Sequence, residues 1–238
     1  MKKTPPLMDI LKACSLFMGI DETDVAAILE CLGAWQKHYE KNTFVFIADT
    51  PLSAAIPVGI LLSGKLHLIQ DDFWGNRSII AQVSPGGLVG EAFACGELRR
   101  LPVSAFTTEA SDILLVDYKR IVTLCSSVCV FHARLIRNMI RILAEHNHRL
   151  IQKIDHLSRR TTREKLRSYL SQEAQKAGTG DFAIPFNRQE LADYLGVDRS
   201  ALSQELGKMR NEGLLSFDRN RFSLFHHSLK AGLLGPLD

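Results

Sequence analysis

The chain has 238 residues, 46% of them hydrophobic and 23% charged, with a formal net charge of +3. That composition describes a folded protein long enough for two modest cores, and it excludes a disordered chain. No apolar run approaches the roughly 20 residues that a bilayer span needs, so no membrane partner is expected.

Met1-Lys2-Lys3-Thr4-Pro5-Pro6 carries two lysines with no long apolar stretch behind them, which speaks against a secretory signal and for the cytoplasm. Five scattered cysteines, an odd number with no C-x-x-C pair, argue for reduced thiols rather than a disulfide framework. Charge is unevenly spread. The first 133 residues hold 11 Lys and Arg against 14 Asp and Glu; from Arg134 onward the count is 18 against 12. A near-neutral front and a basic back suit a sensor joined to a nucleic-acid binder.

Helical spacing opens the chain, with Leu7, Ile10 and Leu11 leading to Leu16-Phe17. Asp21-Glu22-Thr23-Asp24 then supplies a cap and an acidic first turn for a helix through Val25, Ile28, Leu29 and Leu32. From Trp35 the texture changes to short apolar runs divided by turn residues. These are Phe44 to Ile47, Val58 to Leu62, Leu66 to Ile69, Ser78 to Val83, Val103 to Thr108 and Ile113 to Val116. Many short strands at close spacing predict an antiparallel barrel or roll.

After Asp117 the strand texture stops, and from about Ser127 to Gln175 there is neither proline nor glycine. Ile136, Ile140, Leu143, Asn147, Leu150, Ile154 and Leu157 follow one another at alternating steps of four and three. That is a heptad seam with Ile140, Asn147 and Ile154 at a. β-Branched a positions with mostly Leu at d favour a parallel two-stranded coiled coil, and a lone Asn at a fixes register by pairing with its symmetry mate. The alternative is a helix lying with this stripe on its own domain. A further helix is predicted from Thr161, with Glu164 completing a capping box, to Ala177-Gly178.

Asn187 to Leu206 has the layout of a helix-turn-helix. Asn187 caps a helix whose Leu191, Ala192 and Leu195 face inward, Gly196 takes the tight turn, and Asp198 caps the second helix, Arg199 to Asn211. Leu214 to Phe217 and Phe222 to Phe225, joined by a turn, form a two-stranded wing. Arg199, Ser200, Ser203, Gln204 and Lys208 would line the exposed face of the second helix, where hydroxyls, Gln and Arg read base edges and Lys holds phosphate. Asn187, Arg188 and Gln189 at the start of the first helix and Arg221 in the wing complete the candidate DNA face.

With those residues placed, residues 10 to 227 resemble the Crp/Fnr family of bacterial transcription regulators. The run Asn187-Arg188-Gln189-Glu190-Leu191-Ala192-Asp193-Tyr194-Leu195-Gly196-Val197-Asp198-Arg199-Ser200-Ala201-Leu202-Ser203-Gln204 is the most specific part. Leu16 to Ile20, Leu62-Ser63-Gly64 and Gly86-Gly87-Leu88-Val89-Gly90-Glu91 are also similar to family landmarks. The resemblance implies an α+β chain in three parts. These are a cyclic-nucleotide-binding-like antiparallel β-roll that senses an effector (1–126), a long dimerisation helix (127–158) and a winged helix-turn-helix (159–238). It further implies a homodimer on palindromic double-stranded DNA and, for an activator, RNA polymerase as partner.

Two departures from the family pattern stand out. The position matching Gln204 is commonly Arg; Gln cannot make that bidentate contact with guanine but can pair with adenine, so an altered half-site is expected. Cyclic-AMP-binding members follow Gly-Glu with Arg-Ser/Thr-Ala, where Glu takes the ribose hydroxyl and Arg the phosphate. Here Gly90-Glu91 is followed by Val103-Ser104-Ala105, so Val103 stands at the Arg position. The hydroxyl pair that contacts adenine is replaced by Arg149 and Leu150. Cyclic AMP is therefore disfavoured. A different small molecule is expected, with Gly87, Gly90, Glu91, Ala92, Arg99, Arg100, Ser104 and Arg149 as candidate contacts.

An iron–sulfur cluster needs four thiolates, which Cys14 and Cys31 cannot supply. Haem stays an open alternative through His67, His146 or His148, and Cys125 with Cys129 are candidates for a redox pair or for buried helical thiols. No metal-ligand spacing, phosphate loop or locatable Ser-His-Asp set is present, so no enzyme is expected. A pure nucleotide-binding module is the rival reading, but it would have no use for the helix-turn-helix.

Overall fold

The computed structural model describes residues 7–51, 57–95, 98–123 and 130–225. Cys125, Cys129 and the expected boundary at 126/127 lie outside the described residues. The chain forms two compact units, Met1–His148 and Arg149–Asp238, and the long helix contributes to both.

In the first unit, α1 (Leu7–Ala13), a short 3-10 turn (Ser15–Phe17) and α2 (Glu22–Cys31) lead into the strands. Asp21 precedes α2 in extended conformation, but its side chain makes no cap bond. Two four-stranded antiparallel sheets follow. One has the order β1 (Trp35–Tyr39), β8 (Ser111–Val116), β3 (Val58–Ser63), β6 (Leu88–Val89); the other has β2 (Phe44–Phe46), β7 (Ser104–Thr107), β4 (Leu66–Asp71), β5 (Arg77–Val83). Apart from the β4–β5 hairpin, strands consecutive in sequence fall on different sheets, which rolls the chain up.

The apolar runs became strands because they bury both or alternate faces. Val58 to Leu62 is buried throughout, and Tyr39, Leu61, Leu66, Val83, Val89, Ala105, Ile113 and Leu115 meet in one cluster. The two strands that apolar runs did not announce are β1, whose first four residues are exposed, and the two-residue β6. Gly64 makes the β3–β4 turn at φ +85°, where a Cβ would meet Ser111 Oγ at 2.2 Å and the Ala110 carbonyl at 2.4 Å. Only glycine fits there.

α3 (Glu91–Ala94) and α4 (Tyr118–Val122) are short, and α5 (Val130–Ser158) is the long helix. Leu135, Met139 and Ile142 of α5 are buried among Leu11, Leu16, Phe17, Ile28 and Leu32. The other stripe of α5 stays open: Ile140 is 63%, Leu150 45%, Ile154 66% and Leu157 39% exposed, with Asn147 also exposed. Of the expected seam, Ile136 is half-buried and Leu143 leans on the core of the first unit.

The second unit contains the end of α5, α6 (Thr162–Ala177), β9 (Asp181–Ala183), α7 (Arg188–Leu195), α8 (Arg199–Asn211), β10 (Leu215–Asp218) and β11 (Arg221–Leu224). Thr161 and Glu164 form the expected capping box, and Gly178 ends α6 in the left-handed conformation. The wing gains a third strand, since β9 pairs antiparallel with β11 through Phe182 and Phe222. Among the described residues, no helix is long and apolar enough to cross a membrane.

Candidate nucleic-acid interface and effector site

α7 and α8 build the interface from the inside out. Leu191, Ala192, Leu195, Leu202 and Leu206 are all fully buried, and Ala192 is small enough for the helices to cross closely. Gly196 closes α7 at φ +58°, and its N–H donates to the Ala192 carbonyl. Lys165 Nζ then donates to the carbonyls of Leu195 (3.2 Å) and Gly196 (3.4 Å), satisfying the end of α7. Asp198 caps α8 by accepting from the N–H groups of Ser200 (2.8 Å) and Ala201 (3.0 Å). These bonds hold the Asp198 carboxyl below the usual carboxylate range, the Ser200 hydroxyl contributing most.

With the inner face fixed, the outer face of α8 is set by helical periodicity. Arg199, Ser200, Ser203, Gln204 and Lys208 are all exposed; Lys208 Nζ lies 3.6 Å from Glu205. Asn187 caps α7 in a capping box with Glu190, and exposed Gln189 donates to Asp193 at 2.8 Å. Arg221 is exposed at the start of β11.

Arg188 departs from the expected DNA face. Its guanidinium lies 4.7 Å above Phe217 and 5.1 Å above Phe222, and burial lowers its pKa. The aromatic wing takes it as a packing partner.

Several second-unit residues that position the motif were not singled out by sequence reasoning. Arg163 ties α6 to α8 through Glu205 (3.2 Å) and Glu212. His156 sits buried on α5, its Nδ1 2.7 Å from Ser168 Oγ and its Nε2 2.7 Å from Gln172 Oε1. Lys153 is buried with its ammonium 4.5 Å from the Tyr194 ring centre, and desolvation pulls its pKa down to about 8. None belongs to a motif, and only tertiary packing brings them inward.

In the roll, Gly90 enters α3 at φ +86° and Glu91 is 4% exposed. Glu91 Oε1 lies 2.6 Å from His146 Nδ1 on α5, while Oε2 is buried without a partner. Gly87 is half-buried and bonds through its backbone to Ser84 and Leu61; Ala92 is exposed. Ser104 Oγ accepts from Ala48 N–H at 2.8 Å, so that hydroxyl is already engaged. Arg100 is exposed and donates to the Asp49 carbonyl, Arg99 is exposed, and Arg149 is exposed on α5. Val103, at the family's phosphate position, is buried and apolar. These residues suit a hydrogen-bond donor at Glu91 and do not suit a cyclic phosphate.

Comparisons with known proteins bear on the fold and on the helix-turn-helix. Residues 164–228 match the family model of the Crp-like helix-turn-helix domain. The chain is 23% identical over 221 residues to the transcriptional activator protein FnrL of Cereibacter sphaeroides, covering 84% of this chain and 79% of that protein. It is 30% identical over 112 residues to a probable transcriptional activator of Rhizobium leguminosarum, covering 40% of this chain and 47% of that protein. Among solved structures it is similar to the c-di-GMP responsive global regulator CLP of Xanthomonas campestris. The TM-score is 0.68 at 19% identity, over 87% of this chain and 100% of that one. FixK2 of Bradyrhizobium japonicum gives a TM-score of 0.62 at 20% identity, over 81% of this chain and 93% of that one. Residues 164–228 thus form a Crp-like helix-turn-helix domain, and the chain as a whole shares its β-roll, long helix and winged helix-turn-helix with the regulators it is similar to.

Proposed function

We propose that the protein is an effector-responsive homodimer that binds palindromic DNA with α8 in the major groove. The observation that carries this reading is α8 itself. Its apolar side is fully buried, and its exposed side presents Arg199, Ser200, Ser203, Gln204 and Lys208 as one polar face. Asn187 and Gln189 at the start of α7 and Arg221 in the wing flank that face and hold phosphates. The exposed stripe Ile140, Asn147, Leu150, Ile154 and Leu157 is the dimer seam, with Ile136 and Leu143 at its half-buried end.

In this reading residues 1–126 sense a small molecule, 127–158 dimerise and 159–238 read DNA in the cytoplasm. Effector binding near Gly87, Gly90 and Glu91 shifts the population of dimer-helix arrangements and so the spacing of the two α8 helices. An activator of this design also touches RNA polymerase. Catalysis has no part in it.

The test is a mobility-shift selection from a randomised duplex pool. Enrichment of a palindrome, abolished in a folded Arg199→Ala variant, is the expected result; no retained duplex would overturn the reading. Native mass spectrometry and an absorption spectrum of the purified protein identify a retained small molecule or haem.

A further inference from the structure

We propose that the cleft between the C-terminal end of α5 and the first turns of α6 binds a phosphate group. The cleft measures about 480 Å³ and is lined by Ser158, Arg159, Arg160, Glu164, Arg167, Ser168 and Ser171. Three guanidiniums and three hydroxyls thus surround one opening, all within the second unit. None belongs to the exposed face of α8.

The charges in the cleft are unevenly compensated. Arg159 pairs with Asp155 at 2.7 Å. The Glu164 carboxylate is turned to the start of α6, where it accepts from the backbone N–H groups of Arg160 and Thr161, both at 3.2 Å. Ser158 Oγ donates to the Asp155 carbonyl and Ser168 Oγ to the Asp155 carboxylate, which engages two of the three hydroxyls. Arg160 and Arg167 are exposed, and among the described residues neither guanidinium has an ion-pair or hydrogen-bond partner. The Ser171 hydroxyl is likewise without one.

Two uncompensated guanidiniums facing one cleft repel each other, and an anion between them removes that repulsion. The planar fork of arginine matches phosphate oxygens two at a time, and Ser171 supplies a further donor. A carboxylate ligand would meet the same donors with fewer oxygens to offer. Phosphate fits the cluster best.

The phosphate has two possible sources, a DNA backbone running past the half-site or a free phosphate. The first rests on the DNA reading and the second does not. The test uses the full chain and an Arg160→Gln/Arg167→Gln double variant, with circular dichroism confirming the fold. In one arm, affinity is measured against salt for a duplex limited to two half-sites and for one extended by about one helical turn on each side. A DNA source lowers the slope of log affinity against log salt by about one per cleft in the variant, on the extended duplex only. In the other arm, inorganic phosphate is titrated and the arginine side-chain N–H resonances are followed by NMR. A free-phosphate source gives saturable shifts that the variant loses. Unchanged slopes together with no saturable shifts would overturn the proposal, and failure of the wild type to bind any duplex would sink only the DNA reading.

Discussion

Glu91 and His146 are joined across the first unit, Oε1 to Nδ1 at 2.6 Å, with Oε2 of the same carboxylate buried and unpartnered. Glu91 opens α3 in the roll and His146 belongs to α5, so one contact links the roll to the long helix. A ligand that donates to Oε2 would act directly on that link. His146→Leu strands the buried carboxylate, and urea denaturation should show a loss of about 3 kcal/mol. Adding Glu91→Gln to that variant should recover part of the loss, because the charge is then gone. A double variant as unstable as the single one would mean the pair is not coupled.

Gln204 sets the second expectation. It is exposed on α8 and can pair with adenine where Arg would read guanine. Gln204→Arg should move the selected half-site toward guanine at one position, with discrimination of about 1–3 kcal/mol. Selection from a randomised duplex pool checks this, and an unchanged consensus counts against α8 as the reader.

The exposed stripe of α5 makes a prediction about assembly. Ile154 is 66% exposed, so Ile154→Asp should leave each chain folded while shifting sedimentation from dimer to monomer. Asn147→Leu should tighten the dimer, since polar pairing at an a position fixes register at some expense of stability.

Lys153 carries a pH signature. Its folded pKa is about 8 against an ordinary 10.5, so between those values the unfolded chain holds the extra proton. Stability from this group therefore rises with pH through that window. Lys153→Met should be more stable than wild type at neutral pH, with the gain shrinking toward pH 10.5. Denaturation midpoints across the window measure it, and parallel curves would refute it.

Asp198→Ala removes the cap of α8 and should lower the stability of the fold. Thermal unfolding reads the loss, and DNA affinity should fall with it because Ser200 stands at the first turn.

Local rules were legible without the fold. The capping box at Thr161, the cap at Asn187, the tight turn at Gly196 and the span Arg199–Asn211 all follow from residue type and spacing, and the structure has each of them. So do the apolar strands, since burial of Val58 to Leu62 needs only a continuous apolar run. β1 was not legible because its exposed edge carries no apolar signal, and β9 because a three-residue strand has no period to detect. Asp21 looked like a cap, yet a suitable residue type does not compel the bond.

The two sites divide along the same line. The polar face of α8 was determined by the sequence alone, because helical periodicity decides which side chains share a face. The retreat of Arg188 onto Phe217 and Phe222, the burial of Lys153 against Tyr194 and the pairing of Glu91 with His146 were decided only by tertiary structure. Each joins residues from different elements, 29 to 55 positions apart in the chain. What each polar group meets there depends on which neighbours exclude water from it, and no local pattern encodes that.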